Sequence, residues 1–210
     1  MSAVVIVGAG PGIGRSVALR FAREGVGVAL VARTESGLAG EVAAVGVPVL
    51  GLTADSTDEV ALRAALDRAE EELGPLDVLV YNAAIIQADS PGGLSALAHL
   101  DAWAVNVVGA LTAAAHVAPG MASRGSGSII VTGGMPEPEP GYTSLSLGKA
   151  GVRALVTLLG KQFPEVHVAT VTVAGAVAPG GAYDPDDIAE HYWRLHTQPP
   201  GQWSREVVHG

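Results

Sequence analysis

The stretch Ala3-Val4-Val5-Ile6-Val7-Gly8-Ala9-Gly10-Pro11-Gly12-Ile13-Gly14 decides how this 210-residue chain reads. A short apolar, β-branched run enters a cluster of four glycines in seven positions. Beyond it, Ile13, Val17 and Phe21 recur at helical spacing, so the pattern is strand, tight turn, helix. The spacing is G-x-x-x-G-x-G on Gly8, Gly12 and Gly14, with Gly10 between them, rather than G-x-G-x-x-G. Without a Cβ, the backbone can come close to a pyrophosphate, and the helix N-terminus supplies N–H donors and a favourable dipole. The plain alternative is a tight strand-to-helix turn with no ligand.

The alternation continues to the end of the chain. Strands are expected at Val26–Ala32, Val47–Leu52, Asp77–Tyr81, Ser128–Thr132, His167–Val173 and, as a seventh, Arg205–His209. Helices are expected at Gly12–Gly25, Ser36–Val45, Asp101–Ala118 and Ser144–Phe163, with another from a Ser56/Glu59 capping box to Gly74–Pro75. Asp184-Pro185-Asp186-Asp187 opens a last helix, whose apolar face is Ile188, Tyr192 and Leu195. Continuous apolar strands alternating with helices imply a parallel sheet covered on both faces, a Rossmann-type doubly wound α/β fold. Residues 1–210 read as one domain, with 184–210 a short helix and tail flanking the cleft.

Composition narrows the function. Hydrophobic residues are 49% and charged residues 16%, which excludes an intrinsically disordered chain. There is no cysteine, hence no disulfide, no Cys-ligated zinc and no thiol nucleophile. A net charge of −9 without a basic patch argues against nucleic acid and anionic membrane as partners. Ala102–Met121 carries Asn106, His116 and Pro119 and reads as a buried helix, a poor membrane span. His191 and His196 are five apart, so they do not share a helix face as i, i+4 zinc ligands would; no metal site is read. No targeting segment is recognised, and a cytoplasmic location is the expectation.

G-x-x-x-G-I-G at the first strand–helix turn resembles the short-chain dehydrogenase/reductase family, and further resemblances follow in order along the chain. Asp55, with Ser56, matches the acid that meets the adenine. Tyr81-Asn82-Ala83-Ala84 is similar to the family's N-N-A-G, and Asn106 to its helix-four asparagine. Lys149 in Ser146-Leu147-Gly148-Lys149-Ala150 matches its active-site lysine. Ala174-Gly175-Ala176-Val177 resembles the segment bordering the nicotinamide. The resemblance implies a dinucleotide cofactor held by Gly8, Gly10, Gly12, Ile13, Gly14, Asp55, Ser56, Asn82, Ala83, Ala84, Lys149, Gly175 and Val177. It also implies pairing of apolar helices across a two-fold axis, so a homodimer or homotetramer is expected.

Ala32-Arg33-Thr34 stands where an acid would bind the ribose 2′-hydroxyl of NAD. An arginine there can pair with a 2′-phosphate, so NADP(H) is favoured over NAD(H). The basic residue of many NADP-preferring relatives is replaced by Pro11, and Glu35 can compete for Arg33. The family's tyrosine four residues before the lysine is Leu145 here, and Gly134 stands at its strand-five serine. This departure resembles an atypical branch of the family, as does the tail Glu190–Thr197. Three readings stay open. Another group replaces the tyrosine, with Tyr142 the candidate beside Lys149 and Asn106, and Thr132, Thr143, Ser144 and Ser146 as further donors. Alternatively, a conjugated or iminium-like acceptor needs no protein acid. In the third reading the protein binds the dinucleotide without redox chemistry. The substrate is a small molecule, and only about ten residues separate Val173 from the last helix, too few for the family's substrate lid.

Overall fold

Valine, isoleucine and leucine fill the central strands because those strands are buried on both faces; all five residues of the first are enclosed. The computed structural model describes residues 2–34 and 37–210. It holds seven strands: β1 (Ala3–Val7), β2 (Gly27–Ala32), β3 (Val49–Thr53), β4 (Leu76–Tyr81), β5 (Ser128–Thr132), β6 (His167–Val173) and β7 (Glu206–His209). They form one parallel sheet in the order β3-β2-β1-β4-β5-β6-β7. The order reverses between β1 and β4, and there the connections after the two strands diverge to leave a crevice.

The helices are α1 (Ile13–Arg23), α2 (Leu38–Ala43), α3 (Glu59–Leu73), α4 (Ala96–Trp103), α5 (Gly109–Arg124), α6 (Thr143–Gln162) and α7 (Pro185–His196). α3, α5 and α6 bury Leu62, Leu66, Met121, Val152 and Leu159 on one face of the sheet. α1, α2 and α7 bury Val17, Phe21, Leu38, Ile188, Tyr192 and Leu195 on the other. The expected apolar face of the last helix is fully enclosed, and Asp184 caps it by accepting from Asp186 N at 2.8 Å. Phe21 of α1 meets Trp193 of α7 edge-on, with ring centroids 5.3 Å apart. Arg20 lies over the Trp193 ring and pairs with Glu24 and Glu190 at 2.6 Å.

Several helix ends differ from the sequence expectation. α3 is capped by Asp58, not Ser56: the Asp58 carboxylate accepts from Ala61 N at 3.0 Å. Ser56 is buried instead. The expected Asp101–Ala118 helix extends at both ends. Ser95 caps its start, accepting from Ala98 N at 3.1 Å, so α4 opens a turn earlier. α5 passes through Pro119, which removes one backbone donor, and stops at Gly125 in the left-handed conformation, φ 70°. Between α4 and α5 a π-helical turn, Ala104–Val108, inserts into the helix. By length and composition the whole span Ala96–Arg124 could cross a membrane, yet half of its most apolar stretch is buried in the domain. It is not enclosed all round, however: Leu97, Leu100, Val108 and Leu111 are exposed. Ser36, where the second helix was expected to begin, lies outside the described residues.

The α1–α7 packing makes a direct prediction. Phe21→Ala removes a fully buried ring and should cost about 3–5 kcal/mol in chemical denaturation, whereas a loss below about 1 kcal/mol would contradict this packing.

Candidate active site

A cleft of 960 Å³ opens at the point where the strand order reverses. The loop after β1, the end of β2, the start of α2 and the loops after β3 and β4 line it. Among the sequence-predicted residues it brings together Gly8, Gly10, Arg33, Thr34, Asp55, Ser56, Asn82, Ala83 and Ala84. Arg15, Leu38, Glu41, Thr57, Ile85 and Asp101 also line it and were not singled out from sequence. Glu35, expected to compete for Arg33, lies outside the described residues. Gly12, Ile13, Gly14, Asn106, Tyr142, Lys149, Gly175 and Val177 are not part of this lining.

Gly8 governs the geometry. Its φ of +89° suits glycine, and a Cβ there would collide with the backbone of Asn82 and Ala83 on the neighbouring loop. Asn82 Nδ2 donates to Gly8 O at 2.9 Å and fixes that approach. At Gly14 a Cβ would lie 2.7 Å from Gly8 O, so this glycine lets α1 begin under the turn. Gly10 and Gly12, by contrast, have nothing within 4 Å of a Cβ. They leave open space in front of the α1 N-terminus, where an anion is favoured.

At one side of the cleft Asp55 Oδ1 accepts from Thr57 N at 2.9 Å and from Thr57 Oγ1 at 2.8 Å. These bonds, with Arg33 nearby, hold the Asp55 carboxyl below its ordinary range. Arg33 and Thr34 are exposed at the end of β2. Arg15 pairs with Glu41 across the gap between α1 and α2.

On the far side, Tyr81 donates its hydroxyl to Val105 O at 2.6 Å, tying the end of β4 to the π-helical turn. Burial pushes the Tyr81 phenol up to about 12, so it stays protonated. That turn carries Asn106, which is buried. Asn106 Oδ1 accepts from Ile85 N at 2.8 Å and Nδ2 donates to Ile85 O at 3.3 Å. Both ends of the amide are thus spent on the cleft wall, which makes Asn106 a positioning residue in this structure.

Lys149 lies on α6, and Nζ donates to Thr132 O at 2.6 Å at the end of β5. Burial without a carboxylate partner pushes its ammonium down from 10.5 to about 8. An ammonium has three donors, and only this one bond is made among the described residues. Leu145, one turn earlier, is buried, and a Cβ on Gly134 would find Lys149 Cε at 3.6 Å. Tyr142 sits in a short 3₁₀ turn just before α6, 38% exposed, seven residues and so roughly 10 Å of helix rise from Lys149. Of the other candidate donors, Thr143 bonds Pro140 O and Ser146 bonds the Glu139 backbone. Ser144 keeps a buried, unpartnered hydroxyl.

Gly175 is constrained by Tyr183, whose ring fills the space a Cβ would need, and Val177 is 39% exposed. Five of the six histidine side chains have partners that the sequence did not reveal. His116 meets Asp67 at 2.6 Å, His196 meets Ser128 at 3.1 Å, and His191 meets His209 at 3.0 Å. His167 bonds two carbonyls and stacks on Trp203. Among the described residues no group of three or more metal-ligating side chains occurs.

The buried ammonium carries a pH prediction. Its folded value lies below its unfolded one, so the unfolded chain holds more protons between pH 8 and 10.5, and stability rises with pH across that window. Lys149→Met should therefore stabilise the ligand-free protein at pH 7 by on the order of 2 kcal/mol, an advantage that fades from pH 8 to 10.5. Denaturation across that range checks it; a pH-independent loss of stability in the variant would contradict it.

The geometry agrees with the comparisons to known proteins. The family model for short chain dehydrogenase matches residues 2–184. Cis-4-hydroxycyclohexanecarboxylate dehydrogenase of Sinomonas cyclohexanicum is 32% identical over 86% of this chain and 73% of its own length. Glycine betaine reductase ATRR of Emericella nidulans is 37% identical over 133 residues, 60% of this chain but only 10% of that larger protein. A metagenomic short-chain oxidoreductase solved in complex with NADP superposes with a TM-score of 0.90 at 25% identity, covering 99% of this chain and 96% of that one. With the family model spanning residues 2–184, most of the chain, the chain belongs to the short-chain dehydrogenase/reductase family of oxidoreductases.

Proposed function

We propose that this chain is an NADP(H)-dependent oxidoreductase that transfers hydride to or from a small carbonyl-like or conjugated substrate. The observation that carries the reading is the glycine cradle at the strand-order reversal, with Arg33 and Thr34 at its β2 side. NADPH, when bound, supplies hydride to an electrophilic carbon. The residues present fit it. The open backbone at Gly10 and Gly12, with the α1 N-terminus, would hold the pyrophosphate. Arg33 and Thr34 would bind the 2′-phosphate, and Asp55 and Ser56 the adenine edge. Asn82, Ala83 and Ala84 form the wall beside the nicotinamide half, and the spare donors of Lys149 would hold its ribose, with Gly175 and Val177 at that border.

The residues that accompany Lys149 make the proposed enzyme atypical. Leu145 and Gly134 offer no hydroxyl, so the substrate oxygen takes its proton from Tyr142, from a further donor such as Ser144, or, with an activated acceptor, from no protein group. A second reading, a dinucleotide-binding protein without hydride transfer, is favoured by the buried Leu145 alone. A homodimer or homotetramer is proposed as well, because Leu97, Leu100, Leu111, Leu147 and Leu158 are exposed on α4, α5 and α6. Sedimentation velocity reads this directly, and a monomer at micromolar concentration would contradict it.

The cofactor assignment predicts that Arg33→Asp weakens NADPH binding by about tenfold or more in calorimetric titration and leaves NADH within about twofold. Equal loss of both, or no loss, would overturn the 2′-phosphate argument. Should Tyr142 deliver the proton, Tyr142→Phe lowers turnover about 10²-fold or more without changing NADPH affinity. Unchanged turnover rules Tyr142 out as the proton donor.

A further inference from the structure

Tyr192 is fully buried on α7, a helix that contributes nothing to the cleft lining, yet its hydroxyl reaches the site through a connected set of bonds. It lies 2.7 Å from Thr132 Oγ1 at the end of β5. Thr132 Oγ1 is 2.9 Å from Asn82 Oδ1, and Asn82 Nδ2 is 2.9 Å from Gly8 O. The same Thr132 presents its carbonyl to Lys149 Nζ at 2.6 Å.

The sense of the chain is fixed from its far end. Gly8 O can only accept, so the Asn82 amide turns its Nδ2 toward Gly8 and its Oδ1 toward Thr132. Thr132 must then spend its single proton on Asn82. The oxygen of Thr132 is left as an acceptor, and among the described residues only Tyr192 donates to it. Burial, which raises the Tyr192 phenol above its ordinary value, keeps that donor protonated. Every member is satisfied, and each fixes the orientation of the next.

We propose that Tyr192 is a positioning residue of the dinucleotide site, acting through Thr132 and Asn82 on the Gly8 carbonyl and through Thr132 on Lys149. Tyr192 alone of the C-terminal helix is thereby tied to the binding site, although its side chain does not line the cleft. Without the Tyr192 hydroxyl, Thr132 loses its only donor among the described residues and is held by its bond to Asn82 alone. The partner that holds the Asn82 amide is then less firmly placed, and the approach of Gly8 to the loop after β4 slackens.

The inference rests on the dinucleotide reading of the cleft, and the test separates the two. NADPH dissociation constants are measured by calorimetry for the wild type, Tyr192→Phe, Thr132→Ser, Thr132→Val, the Phe/Val double variant and Leu195→Ala. Tyr192→Phe keeps the ring and should weaken NADPH about fivefold. Thr132→Ser keeps the hydroxyl and should bind like the wild type. Thr132→Val should weaken binding at least as much as Tyr192→Phe, and the double variant no more than the worse single one. Leu195→Ala, a larger loss of α7 packing off the chain of bonds, should leave affinity within twofold. Affinity unchanged in Tyr192→Phe overturns the inference alone. So does Leu195→Ala weakening NADPH as much as Tyr192→Phe, because the helix would then act by packing. A wild type that binds neither NADPH nor NADH overturns this inference and the cofactor reading together.

Discussion

The backbone of Gly8 against the loop after β4 is the contact on which the rest depends. β1 and β4 are neighbours in the sheet, but their onward connections leave in opposite directions, and the crevice exists only if the turn after β1 can press onto Asn82 and Ala83. A side chain at Gly8 would block this twice, by its φ of +89° and by collision. The close turn in turn lets α1 start directly beyond the glycine loop, whose Gly8 and Gly10 line the cleft. The electrostatics there suit an anion, in a chain whose net charge is −9.

Around that contact the polar groups form a support rather than a reacting cluster. Tyr81 holds the π-helical turn, the turn holds Asn106, and Asn106 holds Ile85 in the cleft wall. Thr132 joins Lys149, Asn82 and Tyr192. The buried ammonium of Lys149 costs stability in the ligand-free fold, a cost that only a bound partner for its spare donors would offset. Desolvation is thus placed at Lys149, where the cofactor reading needs binding energy.

The glycine spacing and the apolar strands made the fold legible from sequence, because their signals are local: a backbone requirement at Gly8 and double burial of the β1, β4 and β5 side chains. The apolar face Ile188, Tyr192, Leu195 was legible for the same reason. What was not legible depends on distant partners. Ser56 and Asp58 are both sound caps, and only the burial of Ser56 gives α3 to Asp58. The helix expected to end at Ala118 absorbs the donor lost at Pro119 and continues to Arg124, with Gly125 as its cap. Thr132 reads as an ordinary strand residue, since its three partners come from the loop after β4, from α6 and from α7. Asn106 could be matched by resemblance, but its attachment to Ile85 required the π-helical turn, which no pattern announces. The cleft residues Arg15 and Glu41 were missed because their pairing spans 26 positions.

The central claim is that a site built this way, with Leu145 beside Lys149, moves hydride. The most direct test supplies NADPH carrying deuterium at its reactive carbon together with a panel of aldehydes, ketones and enones, and reads the products of a single turnover by mass spectrometry. The account predicts deuterium on carbon in at least one product. Saturating NADPH binding with no deuterium transferred to any acceptor would contradict it and leave a dinucleotide-binding protein in place of an oxidoreductase.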